Sequence, residues 1–189
     1  DSLRVSNRCD FVAVDAHVGY FASGQIGERL TVDILTVAES RGYEEIWVVG
    51  ISMGALGGLI LARDHPAEIR GVVVLSPWLG DEDLVDAVLE AGGLSEWEPP
   101  EITEATPPLT ADTIRTLEWL ATYADEGSES LPEVTLGVAS RDHWRGMGEV
   151  VAEVVPEARR FRVDGDHDWA SWRALFAQVL RDPPWDRHR

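Results

Sequence analysis

The chain has no lysine, a single cysteine and no long apolar run, and each shortage excludes a class of protein. All 16 basic residues are arginine, against 34 acidic residues, and the formal net charge is −18. A chain this acidic is repelled by nucleic acid and by anionic membranes, so we expect neither as a partner. Cys9 alone cannot form an internal disulfide, and we expect it to be a small buried residue. With no membrane-spanning run and no visible signal peptide, the sequence predicts a cytoplasmic protein.

Apolar segments alternate with helical patterns along the 189 residues, 44% of which are hydrophobic. The β-branched content and apolar character of five segments predict strands, the first three of them buried on both faces: 10–15, 45–50, 71–76, 133–138 and 160–163. Amphipathic or small-residue patterns predict five helices: 26–41, 52–65, 83–90, 110–123 and 170–180. This alternation predicts one α/β domain over residues 1–189 with a doubly wound, mostly parallel sheet.

The connection over residues 77–132 is too long for a simple crossover between strands. It contains Trp78, Trp97 and Trp119 and many acidic residues. An excursion of this kind over the carboxyl ends of the strands predicts a lid-like or cap-like insertion, or one wall of a substrate pocket. The alternative is that Trp97 and Trp119 pack a helical excursion onto the sheet.

A serine stands between a predicted strand and a predicted helix in the sequence Gly50-Ile51-Ser52-Met53-Gly54. This Gly-x-Ser-x-Gly pattern is typical of a nucleophile elbow, a sharp turn that exposes a serine at the edge of a sheet. Both glycines are expected to be needed because side chains there would clash with the strand or the helix. The alternative is a tight glycine turn whose serine caps the helix.

A serine needs a histidine to remove its proton and a carboxylate to orient that histidine. In the elbow fold the three follow the order Ser, acid, His, each after a strand. His167 follows the last predicted strand and is the best candidate among the five histidines. Of the others, His188 lies in a polar tail and His65 at a helix end. His17 comes too early in the chain, and His143 lies too close to the acid. Asp142 follows the penultimate strand and is the preferred acid. Asp81 and Asp83, after the preceding strand, rank second, while the neighbours of His167 are poorly placed to reach it: Asp164, Asp166 and Asp168.

These motifs resemble those of the α/β-hydrolase superfamily. The segment Gly165-Asp166-His167-Asp168-Trp169, followed by Trp172-Arg173, is similar to a Gly-Gly-His-Asp-Trp…Trp-Arg signature. That signature belongs to bacterial serine esterases related to S-formylglutathione hydrolase and mycolyltransferases. Asp166 departs from it by replacing the second glycine, which adds a charge beside the histidine.

The resemblance implies a serine hydrolase that cleaves a small carboxylic ester or thioester through an acyl-enzyme. Ser52 would attack, His167 would carry the proton, Asp142 would orient His167, and the Met53 N–H would support the oxyanion. No metal or organic cofactor is implied. Five residues near the strand ends or in the excursion are candidates for the substrate pocket: His17, Tyr20, Trp78, Trp97 and Trp169.

One part of the family's machinery has no counterpart in this sequence. The resemblance implies a second oxyanion N–H from a His-Gly-type loop after a strand that precedes the segment at Phe11, and no such strand or loop is present. The sequence is therefore expected to be part of a longer protein, or the sheet closes up or borrows a strand in a homo-oligomer. The alternative function is a non-catalytic binding or assembly protein that has lost part of its oxyanion hole.

Overall fold

The computed structural model describes residues 9–125 and 127–186. Within them four parallel strands form one sheet in the order β1-β2-β3-β4. Their bounds are β1 Ile46–Ile51, β2 Ile69–Leu75, β3 Glu133–Ala139 and β4 Arg160–Val163. Four of the five predicted strands and the α/β fold class are thereby confirmed.

Eight α-helices accompany the sheet in the described part of the chain. Their bounds are α1 Val18–Ala22, α2 Ile26–Leu30, α3 Thr36–Ser40, α4 Met53–Asp64, α5 Glu82–Ala91, α6 Pro108–Ala121, α7 Arg145–Val154 and α8 Trp169–Val179. A π-helical stretch, Thr31–Leu35, joins α2 to α3, so the helix predicted over 26–41 is continuous but widened in its middle. Short 3₁₀ turns occur at Thr122–Ala124, Ser128–Ser130, Glu157–Arg159 and Pro184–Asp186.

The two faces of the sheet are covered by different helices. In β2, Val72 and Val74 point into the larger core together with residues of α4, α6 and α7, whereas Val73 and Leu75 point to the other face and meet α8. This division follows from the alternation of side chains along a strand. Successive crossovers of one hand place α4 and α7 on the same face. The last helix folds back under the sheet and completes the second layer.

Strand register brings the carboxyl ends of the four strands together at one edge of the sheet. Ile51 pairs with Leu75, and Leu75 pairs with Gly137. Ala139, at the end of β3, pairs with Val163 at the end of β4. The loops that follow β1, β3 and β4 therefore begin side by side, and these loops carry the candidate site residues.

The excursion over residues 77–132 is packed into the main core through its helices. Val85 and Val88 of α5 and Leu117 and Leu120 of α6 are almost completely buried. Both predicted helices of the excursion are confirmed, and their apolar faces join the core that α4 forms on the sheet. That this segment acts as a lid stays a prediction.

The prediction of a strand over residues 10–15 is wrong. These residues have no regular secondary structure and pair with no strand, and Phe11, Val12 and Val14 are 48%, 71% and 46% exposed. An apolar run becomes a strand only when a neighbouring strand accepts its backbone hydrogen bonds. Phe11 instead makes an edge-to-face contact with Trp185.

Two burial predictions at the same side of the fold are also wrong. Cys9 is exposed rather than buried and directly precedes the same exposed segment. In the described structure β1 pairs only with β2, so its residues are mostly half-buried and Val49 is 38% exposed. The apolar content of β1 indicated two covered faces but did not indicate how many strands flank it.

Within residues 9–125 and 127–186, none of the helices combines the length and apolar character needed to cross a membrane.

The start of α8, directly after His167, provides a test of pH-dependent stability. Asp168 caps α8 by accepting the Ser171 N–H at 2.8 Å, and this hydrogen bond holds the pKa of the carboxyl below its ordinary value of 3.8. Because the folded pKa is lowered, the stabilisation is present above the unfolded pKa and is lost as the pH falls through the folded pKa. We expect Asp168→Ala to be less stable than wild type at pH 7, with a deficit that shrinks below about pH 4.

Urea unfolding at pH 7 and at several pH values below 4 measures this deficit. Asp168→Asn is the matched control, because its amide oxygen can accept the same hydrogen bond without titrating. A deficit in Asp168→Ala that is equal at every pH would show that the carboxylate does not contribute as an ionised cap.

Candidate active site

Ser52 occupies a strained turn between β1 and α4. Its φ of 53° and ψ of −123° lie in a region that residues other than glycine rarely adopt. Among its backbone hydrogen bonds, two tie the turn to β2 and the loop after it: the Ser52 N–H donates to the Leu75 carbonyl at 3.0 Å, and the Trp78 N–H donates to the Ser52 carbonyl at 3.1 Å. Both partners lie at or just beyond the end of β2, so the neighbouring strand fixes the turn that presents the serine.

The two glycines of the pattern differ in what they do. A Cβ on Gly50 would lie 2.3 Å from the Gly54 carbonyl oxygen and 2.5 Å from Ala55 Cα, so β1 and α4 meet there at backbone contact. A Cβ on Gly54 would meet nothing within 4 Å. The expectation that both positions exclude side chains is therefore correct for Gly50 and wrong for Gly54, which faces open space.

His167 joins the other two candidate residues through both of its ring nitrogens. Nε2 lies 2.9 Å from Ser52 Oγ, and Nδ1 lies 2.9 Å from Asp142 Oδ2. Asp142 is only 3% exposed, and its other carboxylate oxygen accepts the Trp144 N–H at 2.9 Å. With Nδ1 donating to the carboxylate, Nε2 is left as an acceptor facing the serine hydroxyl. The three residues predicted from chain order thus form one hydrogen-bonded series.

The other acidic residues near the strand ends have different partners. Arg141 pairs with Asp164 and, at 3.4 Å, with Asp166. The Arg141 hydrogen bond holds the pKa of Asp164 below its usual range. Asp81 caps α5 through the Leu84 N–H and accepts the Thr110 hydroxyl. The carboxylate that contacts His167 is therefore that of Asp142, and neither Asp81 nor its exposed neighbour Asp83 has this role.

Three of the remaining histidines lie in the described structure. His65 is paired with the Thr31 hydroxyl at 2.7 Å, and His17 caps α1 by accepting the Gly19 N–H at 3.0 Å. His143 is next to Asp142, and its ring centroid lies 5.4 Å from that of His167. His188 lies outside the described residues.

Met53 is the first residue of α4. The N–H groups of the first turn of a helix have no partner within that helix, and they carry a partial positive charge. Met53 directly follows Ser52, so its N–H is one of these first-turn donors.

The predicted pocket residues divide into two groups. Trp78, half-buried, and Trp169, 69% exposed, reach His167 through intermediate rings: Trp78 contacts Trp144, and Trp169 contacts Trp172. The second group is His17, Tyr20 and Trp97. In the described structure no hydrogen bond or ring contact connects these three residues to Ser52 or His167. His17 and Tyr20 contact each other at α1, and Trp97 packs on the main core.

Two tryptophans that enclose His167 went unassigned by the sequence pattern. Trp144 and Trp172 both stand at 87° to the imidazole, with ring centroids 4.6 and 5.0 Å away. Trp172 belongs to the signature quoted above. Trp144 had only one signal, its position two residues after Asp142. A third residue missed was Glu82, whose Oε1 accepts the Trp144 indole N–H at 3.0 Å.

A cavity of about 250 Å³ opens beside this cluster, at the starts of α5 and α6. The cavity is lined by Gly80, Asp81, Glu82, Asp83, Leu109 and Thr110. None of the three hydrogen-bonded residues, Ser52, Asp142 and His167, lines it. Glu82, which accepts the Trp144 indole N–H, is therefore the residue that the cavity and the ring cluster share.

Residues 32–182 match the sequence profile of the Esterase family, whose description is Putative esterase. The chain belongs to this family. Membership supports a hydrolase of ester substrates, and it covers β1 to α8, the whole region that carries the three hydrogen-bonded residues. No curated protein matches this esterase-family chain.

Solved structures extend the comparison to the fold. An α/β-hydrolase enzyme from the metagenome of lagoon sediments at Mar Chica, Morocco, is 16% identical with a TM-score of 0.51, over 88% of this chain and 75% of that one. The fluorophosphonate-binding serine hydrolase F of Staphylococcus aureus is 15% identical with a TM-score of 0.52, over 82% of this chain and 62% of its own. A ferulic acid esterase is 16% identical with a TM-score of 0.52, over 81% and 58%. At these identities the likeness establishes the α/β-hydrolase fold and nothing finer.

Proposed function

We propose that this esterase-family chain is a serine hydrolase that cleaves a carboxylic ester or thioester through an acyl-enzyme on Ser52. The observation that carries the proposal is the series Asp142–His167–Ser52, with both contacts at 2.9 Å and the serine on a strained turn at the start of α4. A nucleophile, a base within hydrogen-bond reach and a buried carboxylate that orients the base are the parts that acyl transfer requires.

In the first half of the reaction, Ser52 Oγ attacks the acyl carbon while its proton passes to His167 Nε2. The carbonyl oxygen becomes an oxyanion, and Asp142 stabilises the imidazolium that forms. The tetrahedral intermediate then collapses. The bond to the leaving alcohol or thiol breaks, His167 returns the proton to that group, and the acyl chain stays on Ser52.

In the second half, water takes the place of the leaving group. His167 removes a proton from the water as it attacks the acyl-enzyme, and the same proton is returned to Ser52 Oγ when the ester bond breaks. The products are a carboxylic acid and the free enzyme. No step requires a redox change, and we propose no cofactor for this reaction.

The Met53 N–H is proposed as one oxyanion donor, and a second donor has no assignment among the described residues. Loss of a single donor typically lowers the rate by about 10²–10³. With the Met53 N–H as the single oxyanion donor, we therefore expect turnover slower by about that factor than with two donors.

The substrate proposed is a small molecule whose acyl or alcohol part is apolar. Trp169 is 69% exposed next to the ring cluster around His167, and an exposed aromatic side chain beside a reactive group offers such a part a surface to pack against. Membership of the S-formylglutathione hydrolase and mycolyltransferase group stays a prediction from the sequence signature.

Intact mass after treatment with a fluorophosphonate tests the nucleophile. We expect one adduct on the wild type and none on Ser52→Ala, because only a serine activated by a base attacks the probe at a useful rate. Ser140→Ala is the matched control, since it removes an exposed hydroxyl in the loop that leads to Asp142 and leaves Ser52 in place. Failure of the folded wild type to react would contradict the proposal and favour a non-catalytic binding protein.

A further inference from the structure

The side chain of Trp144 contacts four other side chains. Its indole stands edge-to-face with His167, and the ring centroid of His143 lies 3.9 Å away. Its indole N–H donates to Glu82 Oε1 at 3.0 Å, and its ring also contacts Trp78 at 6.3 Å. Trp144 therefore joins the loop after β3 to the start of the excursion and to the imidazole.

We propose that Trp144 is a positioning residue for His167 and that Glu82 fixes the indole in the orientation that does so. This inference rests on the proposed function, because it assigns the groups that keep the proposed base in place. Neither residue would touch the substrate's reacting atoms. Both would act through the orientation of the imidazole between Ser52 and Asp142.

The position of His167 in the fold explains why such support matters. His167 lies in the loop between β4 and α8, where its neighbours Asp166 and Asp168 are exposed. Its two hydrogen bonds fix the ring nitrogens but leave the ring able to tilt about the line between them. Trp144 and Trp172 stand perpendicular to the ring at 4.6 and 5.0 Å, and edge-to-face contacts of this kind limit that tilt.

Trp144 acts on Asp142 as well, through its backbone. The Trp144 N–H holds Asp142 Oδ1, while Asp142 Oδ2 holds His167. One residue therefore orients the carboxylate with its main chain and the imidazole with its side chain. Substitutions at position 144 leave the backbone donor in place, so they isolate the contribution of the indole.

Glu82 connects this arrangement to the excursion. It is the first residue of α5, and its carboxylate is exposed apart from its contact with the indole N–H. A tryptophan N–H has a single donor direction. The contact therefore selects one rotation of the indole among those that the loop allows, and a movement of α5 would be transmitted to the ring that faces His167.

Nuclear magnetic resonance of the histidine ring protons tests the positioning on the resting protein. The chain has five histidines, so the spectrum is sparse, and His167→Asn identifies the His167 signals by their loss. We expect the ring currents of the perpendicular indoles to displace these signals. In Trp144→Leu the signals should move towards unperturbed values because the indole ring current is itself removed, so their broadening is what reports the lost positioning. Glu82→Ala should move them in the same direction by less, and Glu82→Gln, which retains an acceptor oxygen, should resemble wild type.

Turnover of a p-nitrophenyl ester supplies a second readout. We expect Trp144→Leu to lower kcat about tenfold or more with little change in KM, because a misplaced base affects the chemical step and not binding. Trp144→Phe keeps a ring and loses the donor, so it should fall between wild type and Trp144→Leu. Asp86→Ala removes another exposed carboxylate of α5 and should match wild type in both measurements.

The outcomes separate this inference from the proposed function. Unchanged His167 signals and unchanged kcat in both Trp144→Leu and Glu82→Ala would overturn the positioning role and leave the hydrolase standing. If the wild type turns over no ester, yet the variants show the expected changes in the His167 signals, the proposed hydrolase function is overturned and the positioning role is retained. If Trp144→Leu does not fold, Trp144→Phe and Glu82→Ala carry the same comparison.

Discussion

Asp142→Asn is expected to lower kcat for ester hydrolysis by about 10⁴ while leaving the protein folded. The change is nearly isosteric, and the oxygen of the new amide can still accept the Trp144 N–H that Asp142 Oδ1 accepts at 2.9 Å. What changes is the group that faces His167 Nδ1. A carboxylate oxygen there accepts a hydrogen bond, whereas an amide NH₂ donates one.

The tautomer of His167 decides the size of this effect. Facing an amide NH₂, Nδ1 becomes the acceptor, and the ring proton moves to Nε2, which lies 2.9 Å from Ser52 Oγ. A protonated Nε2 cannot take the proton of the serine hydroxyl, so the base is lost although every atom keeps its place. The charge that stabilises the imidazolium is lost in the same step.

Asp81→Asn is the matched control for Asp142→Asn, because Asp81 is the other carboxylate that the sequence offered. Asparagine retains the capping of α5. We expect wild-type kcat from Asp81→Asn, measured with the same ester and normalised to the fraction of folded protein. Equal losses in both variants, or a loss only in Asp81→Asn, would show that Asp142 is not the partner of His167.

Local sequence patterns predicted the strand bounds and most helices well, and the errors came where a strand depends on its neighbours. The run from Gly71 to Leu75 in β2 is recognisable because a strand covered on both faces is apolar throughout. The run at Phe11 has the same local character, yet it pairs with no strand among the described residues. Backbone pairing is non-local, so no property of residues 10–15 distinguishes the two cases.

The candidate site was predictable to the extent that chain order constrains it. Ser52, Asp142 and His167 each follow a strand at the same sheet edge, and parallel topology brings such positions together. The contact between Glu82 and Trp144 joins residues 62 apart in the sequence. It depends on how the excursion packs against α7, for which neither residue carries a local signal.

Gly50→Ala is expected to destabilise the fold by about 3 kcal/mol, because its Cβ would overlap backbone atoms that cannot move independently. The contact distances of 2.3 Å to the Gly54 carbonyl oxygen and 2.5 Å to Ala55 Cα require β1 and α4 to separate. That separation would also break the turn that holds Ser52. Urea unfolding followed by circular dichroism measures the loss, and we expect fluorophosphonate labelling to disappear with it.

Gly54→Ala is the matched substitution, two residues beyond Ser52, and the opposite result is expected from it. Its Cβ meets nothing within 4 Å, and alanine favours a helix over glycine by about 0.5–1 kcal/mol. The free energy of unfolding should therefore be equal to or slightly above that of wild type. Two variants with equal stability would show that β1 and α4 do not touch at Gly50. A large loss of stability in Gly54→Ala alone would contradict the structure. It would place the close contact on the helix side of Ser52, where the structure has open space.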